Sequence, residues 1–288
     1  YMMREYRSDV LPNRNQGYSG RVTYDYASKY LVEFNFGYNG SERLAAGHRF
    51  EFFPAVSAGW VASSEKFWEP ISKYINHFKI RGSYGLVGSD AFASGAPHFL
   101  YQNNIGIGSA HNFWTGLPTS EISKKGPGFY VLAVQDAGWE HVKKFDIGFD
   151  MMLFNQLNIT FDYFHDKRER ILMSRASWPS MLGYWGSKPW SNIGEVENQG
   201  FELSLNWTKQ FGKDLTLDLR GNFTYNQNEY KYVDEPSYPY VWQTNTGKPL
   251  NTVKGYIAEG LFTSEEEIAN SPDQSQLGAN IMPGDIKY

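Results

Sequence analysis

GRVTYDYASKYLVEFNFGYN, residues 20–39, alternates apolar and polar side chains twice, with a short break in the middle. Val22, Tyr24 and Tyr26 fall on one face, and Arg21, Thr23 and Asp25 on the other. After Ala27-Ser28-Lys29 the alternation restarts. Tyr30, Val32, Phe34, Phe36 and Tyr38 share a face, and Glu33, Asn35, Gly37 and Asn39 the opposite one, with Leu31 the apolar exception. Period two over this length marks strands lying between two different environments. The apolar face is aromatic at its ends, while the other carries charge and amide. A soluble sandwich also alternates, so this hairpin alone does not decide. Repetition of the pattern with aromatic ends points to a barrel in lipid with a wet interior.

The pattern recurs along the chain. A third strand is expected over Phe53–Ser63, with Val56, Ala58 and Trp60 outward and Pro54 near its start. A fourth runs Phe78–Gly88, with Phe78, Ile80, Tyr84 and Leu86 outward and Lys79, Arg81 and Ser83 inward. Phe145, Ile147, Phe149, Met151 and Leu153 then alternate with Lys144, Asp146, Gly148 and Asp150. Leu157–Tyr163, Phe201–Trp207 and Leu215–Tyr225 repeat the same rhythm. The total is eight strands, each of about the 9–11 residues that cross a bilayer at a tilt. Residues 1–17 read as the end of an earlier strand plus a loop. Short connections at 27–29, 155–156 and 210–214, and a short helix within 64–77, alternate with long ones at 40–52, 89–140, 170–194 and from 227 onward. The helix rests on the spacing of Phe67, Trp68, Ile71 and Ile75, with Pro70 in its first turn. Glu265-Glu266-Glu267 reads as the start of another, where negative charge is favoured. Short turns on one side and long loops on the other describe an outer-membrane barrel.

Composition agrees with this reading. The chain has 288 residues and a net charge of −4, so nothing favours nucleic acid as a partner. No run approaches the roughly 20 apolar residues of a spanning helix, and mean hydropathy is −0.52. A barrel needs only alternate residues to be apolar, and the 17% aromatic content suits interfacial girdles. There is no Cys, so in an oxidising compartment stability must come from elsewhere, for instance barrel closure. No signal peptide is visible, and both ends read as cuts in a longer protein.

No motif of bond-making chemistry is present: neither HExxH, GxSxG, a Walker loop nor Cys/His metal spacing. Asp162 and Asp166 share a strand face about 13 Å apart at strand rise, too far for a glycosidase pair. Of four glycosylation sequons, three lie inside strands facing inward and are chance matches. No metal site is expected. The inward polar residues Glu33, Asn35, Arg81, Asp146, Asp150, Asp162, Glu202, Asp218 and Arg220 would line the lumen wall, pairing across strands. The best substrate-contact candidates are the loop aromatics Trp114, Trp178, Tyr184, Trp185, Trp190 and Trp242, since flat rings bury apolar sugar faces or peptide side chains. The competing use of those rings is packing loops together or meeting a protein partner. On these residues alone, a soluble secreted all-β carbohydrate-binding protein or enzyme stays open beside the membrane barrel.

An ordered set of segments adds a resemblance. LPNRNQGYSGRVTY (11–24), Gly47-His48-Arg49-Phe50, KIRGSYGLVG (79–88), Phe161-Asp162-Tyr163-Phe164, NIGEVENQGFE (192–202), GNFTYN (221–226), GYIAEGLF (255–262) and GDIKY (284–288) together resemble the barrel region of SusC/RagA-type TonB-dependent outer-membrane transporters of Bacteroidota. The resemblance covers nearly the whole chain, so residues 1–288 are expected to be a partial barrel domain. It implies an eight-strand sector of a 22-stranded antiparallel barrel in the outer membrane, holding a plug and capped by a SusD-like lipoprotein. It further implies import of oligosaccharides or peptides, driven through TonB by segments not in this chain. The resemblance implies no cofactor held by these residues; in such proteins GDIKY leads into an acidic segment beyond Tyr288 whose carboxylates are able to hold calcium.

Overall fold

The computed structural model describes residues 2–4, 13–92, 95–106, 112–115, 122–126, 128–182, 188–278 and 280–288. The strands are β1 (Met2–Arg4), β2 (Asn13–Tyr26), β3 (Tyr30–Ser41), β4 (Phe50–Val61), β5 (Ile75–Ser89), β6 (Asn104–Gly106), β7 (Asn112–Thr115), β8 (Ile122–Lys125), β9 (Gly128–Val131), β10 (Glu140–Leu153), β11 (Leu157–Ser174), β12 (Trp190–Phe211), β13 (Leu215–Tyr232), β14 (Gly260–Leu261) and β15 (Ile286–Lys287). Among the described residues, one sheet runs in the order β1-β2-β3-β4-β5-β10-β11-β12-β13, each pair antiparallel. Its first strand is three residues; the other eight are the long strands expected from the alternation.

Two short turns carry the hairpins on non-glycine residues at positive φ. Ala27 and Ser28 both sit at φ 53° between Tyr26 and Lys29, and Phe154 and Asn155 at 54° and 52° between Leu153 and Gln156. Two left-handed central residues match the twist of the flanking strands. The Phe154–Asn155 turn lies one residue earlier than the 155–156 turn of the sequence reading. The 62–74 connection also differs: it forms 3-10 turns at Ala62–Ser64 and Lys66–Trp68, not an α-helix. Trp68 of this connection stacks on Phe78 of β5.

The strands are longer than a bilayer crossing requires, from 12 residues in β3 and β4 to 22 in β12. β11 runs on to Ser174 and β12 begins at Trp190, so the loop expected over 170–194 shrinks to 175–189. Within the 89–140 excursion, β6 pairs with β9 and β7 with β8. β4 starts at Phe50, and Pro54 lies inside it. Pairing of β4 with β5 stops at Ala55–Gly85, beside this residue that has no N–H to donate.

Beyond that point the apolar core assembles. Leu44, Phe53, Leu100, Val134, Ala137, Trp139 and Leu172 are buried together, with Leu86, Phe92, Ala96 and Trp190 packed against them. Phe53 meets Trp139 edge-on at 5.4 Å, and Trp139 donates its indole N–H to Arg49 O at 2.9 Å. Buried Glu140 accepts from Leu172 N at 3.1 Å and pairs with Arg168, across the bulge where β11 changes register and Arg170 sits at φ 56°. Residues 251–288 form a separate compact unit. There Ser264 caps α1 (Glu265–Asn270) by accepting from Glu267 N at 3.2 Å, as the acidic run implied, and Phe262 is buried.

Candidate functional site: an inner wall and a loop mouth

Register places the two faces of the sheet unambiguously. Leu31, Gly59, Arg81, Gly148, Asp162, Glu202 and Thr224 lie in one hydrogen-bonded row. Glu33, Ser57, Ser83 and Asp146 occupy a neighbouring row on the same face. This polar face is wired by charge. The Arg81 guanidinium stands 2.7 Å from Asp162, 3.3 Å from Asp150 and 3.5 Å from Asp146. Lys144 reaches Asp166 at 3.5 Å. On the other flank Arg21 and Asn35 both donate to Glu33. Between the two clusters, small residues Ser57, Gly59 and Ser83 leave an open recess of about 580 Å³, rimmed by Glu33, Lys79, Arg81 and Asp146.

The structure thus brings Arg81, Asp146, Asp150 and Asp162 into one cluster, with Glu202 next to Asp162 in the row. Glu33 and Asn35 form a second. Asp218 and Arg220 stand apart on β13, where Thr208 donates to Asp218 at 2.6 Å and Arg220 faces Asn206.

The opposite face is apolar and uncovered. Tyr18, Val22, Tyr24, Tyr26, Val32, Phe34, Val56, Tyr84, Ile147, Leu219 and Phe223 are all exposed. Rings run along it from strand to strand: Phe78–Phe149–Phe161–Phe201–Phe223, with centroids 5.6–6.1 Å apart.

The aromatic candidates of the long-loop side separate. Trp114 lies on β7 and is exposed. Trp242 sits in the 3-10 turn Val241–Gln243, 62% exposed, and stacks on Tyr240 at 5.7 Å and 13°. The Glu235 carboxylate closes the neck of that loop, accepting from the amides of Asn245 and Thr246 and from the Thr246 hydroxyl at 2.9–3.1 Å. Trp178 is half-buried beside Ser177, whose N–H and hydroxyl donate to buried Asp234. Burial alone would push the Asp234 carboxyl up. The Ser177 donors, with Arg175 at 3.3 Å, outweigh it and hold the group below the ordinary carboxylate value. Trp190 is not a loop residue: it opens β12 and packs against the buried cluster. Tyr184 and Trp185 lie outside the described residues. Tyr240 was missed, although the run Tyr238-Pro239-Tyr240-Val241-Trp242 signalled an aromatic tip. Glu140 and Asp234, both buried, carried no signal of burial in the sequence.

Residues 6–270 match the family described as TonB dependent receptor-like, beta-barrel. The chain belongs to this family. Among curated TonB-dependent receptors, P3 of Formosa agariphila is 31% identical over 84% of this chain and 24% of its own length. SusC of Bacteroides thetaiotaomicron is 26% identical over 79% of this chain and 22% of its own. The chain therefore spans about a quarter of the length of the curated TonB-dependent receptors it matches. Among solved structures, the RagAB peptide importer in its "open-open" state superimposes with a TM-score of 0.63 at 19% identity, over 80% of this chain and 24% of that one. That likeness shows a shared fold. These relatives carry the SusC/RagA-type resemblance read in the sequence, and the antiparallel all-β architecture of a TonB-dependent receptor barrel is what the sheet displays.

Proposed function

We propose that this chain is a wall sector of an outer-membrane importer of oligosaccharides or peptides, powered through TonB and working with a SusD-like surface lipoprotein. One observation carries the reading: eight long strands present an uncovered apolar, aromatic face on one side and an internally ion-paired face on the other. Water on both sides would leave the first face unsatisfied; hydrocarbon outside and a wet lumen inside suit both. Membership of the TonB-dependent receptor family, and relatives that include SusC and the RagAB peptide importer, support the transport role and the lipoprotein partner. The wall is scaffold and loop surface in this reading and does no bond-making; ligand is captured at the mouth and passes when the plug moves.

The test is uptake of labelled oligosaccharides and peptides by cells lacking the gene, with and without the full-length gene restored. Loss and rescue for one ligand class is expected. Unchanged uptake across both classes, or a protein that stays monodisperse in plain buffer, would overturn the proposal.

A further inference from the structure

Past the bulge in β11, the 90–139 and 175–189 connections meet at the end of β11 and the start of β12 around a pocket of about 260 Å³. Separate stretches of chain line it: Pro97, then Tyr130 and Leu132 at and just beyond β9, then Ser174, Lys188 and Trp190. It lies at the long-loop end of the sheet, which in the import reading is the outer mouth.

The walls of this pocket are partly set in advance. Ser174 and Trp190 face each other in register. Trp190 packs against the buried cluster, so its ring is placed before anything binds and little freedom is lost on binding. Tyr130 adds a second ring, 49% exposed.

The charge of the lining is one-sided. Lys188 is its one charged residue among the described residues. The Lys188 ammonium donates to Ala176 O at 3.0 Å, one of the three N–H bonds it can make. No carboxylate of the described residues pairs with it. Asp234, which ties down the same connection, is already engaged by Ser177 and by Arg175 at 3.3 Å. The inner-wall recess is different, because Glu33 and Asp146 stand there beside Lys79 and Arg81. An ammonium with protons to spare and no anion beside it favours a negative group from outside. Rings in the same lining reward a flat apolar surface next to that group.

We propose that this pocket is a subsite for a carboxylate-bearing unit of the imported ligand. Lys188 holds the carboxylate, the Ser174 hydroxyl donates to the same unit, and Tyr130 and Trp190 take its flat apolar face. The volume lies just below that of pockets for whole ligands and suits one terminal unit. A uronic acid ending an oligosaccharide and the last residue of a peptide both offer this chemistry. The proposal rests on the import reading above and deepens it: from either source, the ligand is an anion.

The test is calorimetric titration of the full-length receptor in detergent, at neutral pH and low salt, with two matched pairs. One is trigalacturonate and its methyl ester; the other is a tripeptide ending in phenylalanine and its C-terminal amide. In one pair the acid should bind about tenfold tighter than its neutral partner, and that pair identifies the source. Lys188→Gln keeps a donor for Ala176 O and should erase the difference, whereas Lys188→Arg should preserve it. Tyr130→Ala should weaken acid and neutral forms alike. Without any variant, added salt should narrow the gap in the parent. Equal binding within both pairs, a preference for acid that survives Lys188→Gln, or no binding of either acid overturns the proposal. The uptake assay decides the import reading separately: loss and rescue of uptake for a neutral ligand would keep that reading while this one fails.

Discussion

Asp162 reaches Arg81 from two strands away, closing to 2.7 Å over Gly148 of the strand between them. The Arg81 guanidinium is thereby shared among three aspartates on two strands, Asp146 and Asp150 of β10 and Asp162 of β11. Removing it leaves like charges facing each other on a partly exposed wall. Arg81→Gln should lower stability by about 1–2 kcal/mol, and the loss should shrink in Asp162→Asn, because the pair is coupled. Denaturant unfolding of the four-variant cycle in detergent measures this; additive losses would show that Arg81 acts through Asp146 or Asp150 instead.

Gly148 makes the reach possible. A Cβ there would sit inside van der Waals contact of Phe161 O and Asp162 Oδ1. One of these is backbone of the neighbouring strand and cannot swing aside. Gly148→Ala should therefore cost about 1–3 kcal/mol. Gly221→Ala, on β13 with nothing within 4 Å of its Cβ, should cost far less. The comparison is made by unfolding midpoint, and equal losses would remove the steric explanation.

The difference between these two glycines was not visible in the chain, and it shows where sequence reasoning ran out. Phe145 to Leu153 alternate because each strand divides an apolar from a polar medium, a local rule that leaves a local trace. Arg81 and Asp162 meet through β10, which follows β5 only after the 90–139 excursion, so their pairing is a matter of register between distant segments. Trp190 was misplaced for a related reason. The alternation fades where β11 and β12 pass beyond the apolar band, and strands without it look like loop. Trp242 was legible as a candidate because an exposed aromatic among Pro, Asn and Thr has little local packing available.

The first hairpin carries avoidable strain. Ala27 and Ser28 both hold φ 53°, a conformation that favours glycine. Ser28→Gly removes the Cβ conflict while keeping the Lys29 N–H bond to Tyr26 O. A gain of about 0.5–1 kcal/mol is expected. An unchanged or lower unfolding midpoint would mean that loss of the Ser28 side chain or added chain entropy outweighs the relief.

Asp234 links the Ser177–Trp178 turn to the end of β13 from a position outside the apolar band. Its carboxyl is held below the ordinary value of about 3.9. A group lowered on folding stabilises above its unfolded pKa, and that contribution is lost as pH falls through the folded value. The turn should thus be insensitive between pH 7 and 5 and loosen below about pH 4. Fluorescence of Trp178, with the other tryptophans replaced or subtracted, reports this. Asp234→Asn should loosen the turn at neutral pH and flatten the profile, whereas a transition near pH 6 would point to a histidine.

Trp190 and Trp242 should answer differently to the same substitution. Trp190 packs against the buried cluster to which Leu44, Phe53 and Leu100 belong, so Trp190→Ala should cost about 3 kcal/mol and lower the yield of folded protein. Trp242 is exposed on a loop whose neck is closed by Glu235, and its ring touches Tyr240 alone among the described aromatic pairs. Trp242→Ala should leave the unfolding midpoint within about 0.5 kcal/mol of the parent. If the Tyr240–Trp242 ledge meets the imported ligand, the same change should weaken ligand capture by the full-length receptor roughly tenfold, the loss of one stacked ring. If it meets the lipoprotein instead, ligand capture by the receptor alone should be unchanged and co-purification of the partner should fall. A variant altered in neither assay would leave the ledge without a role in import.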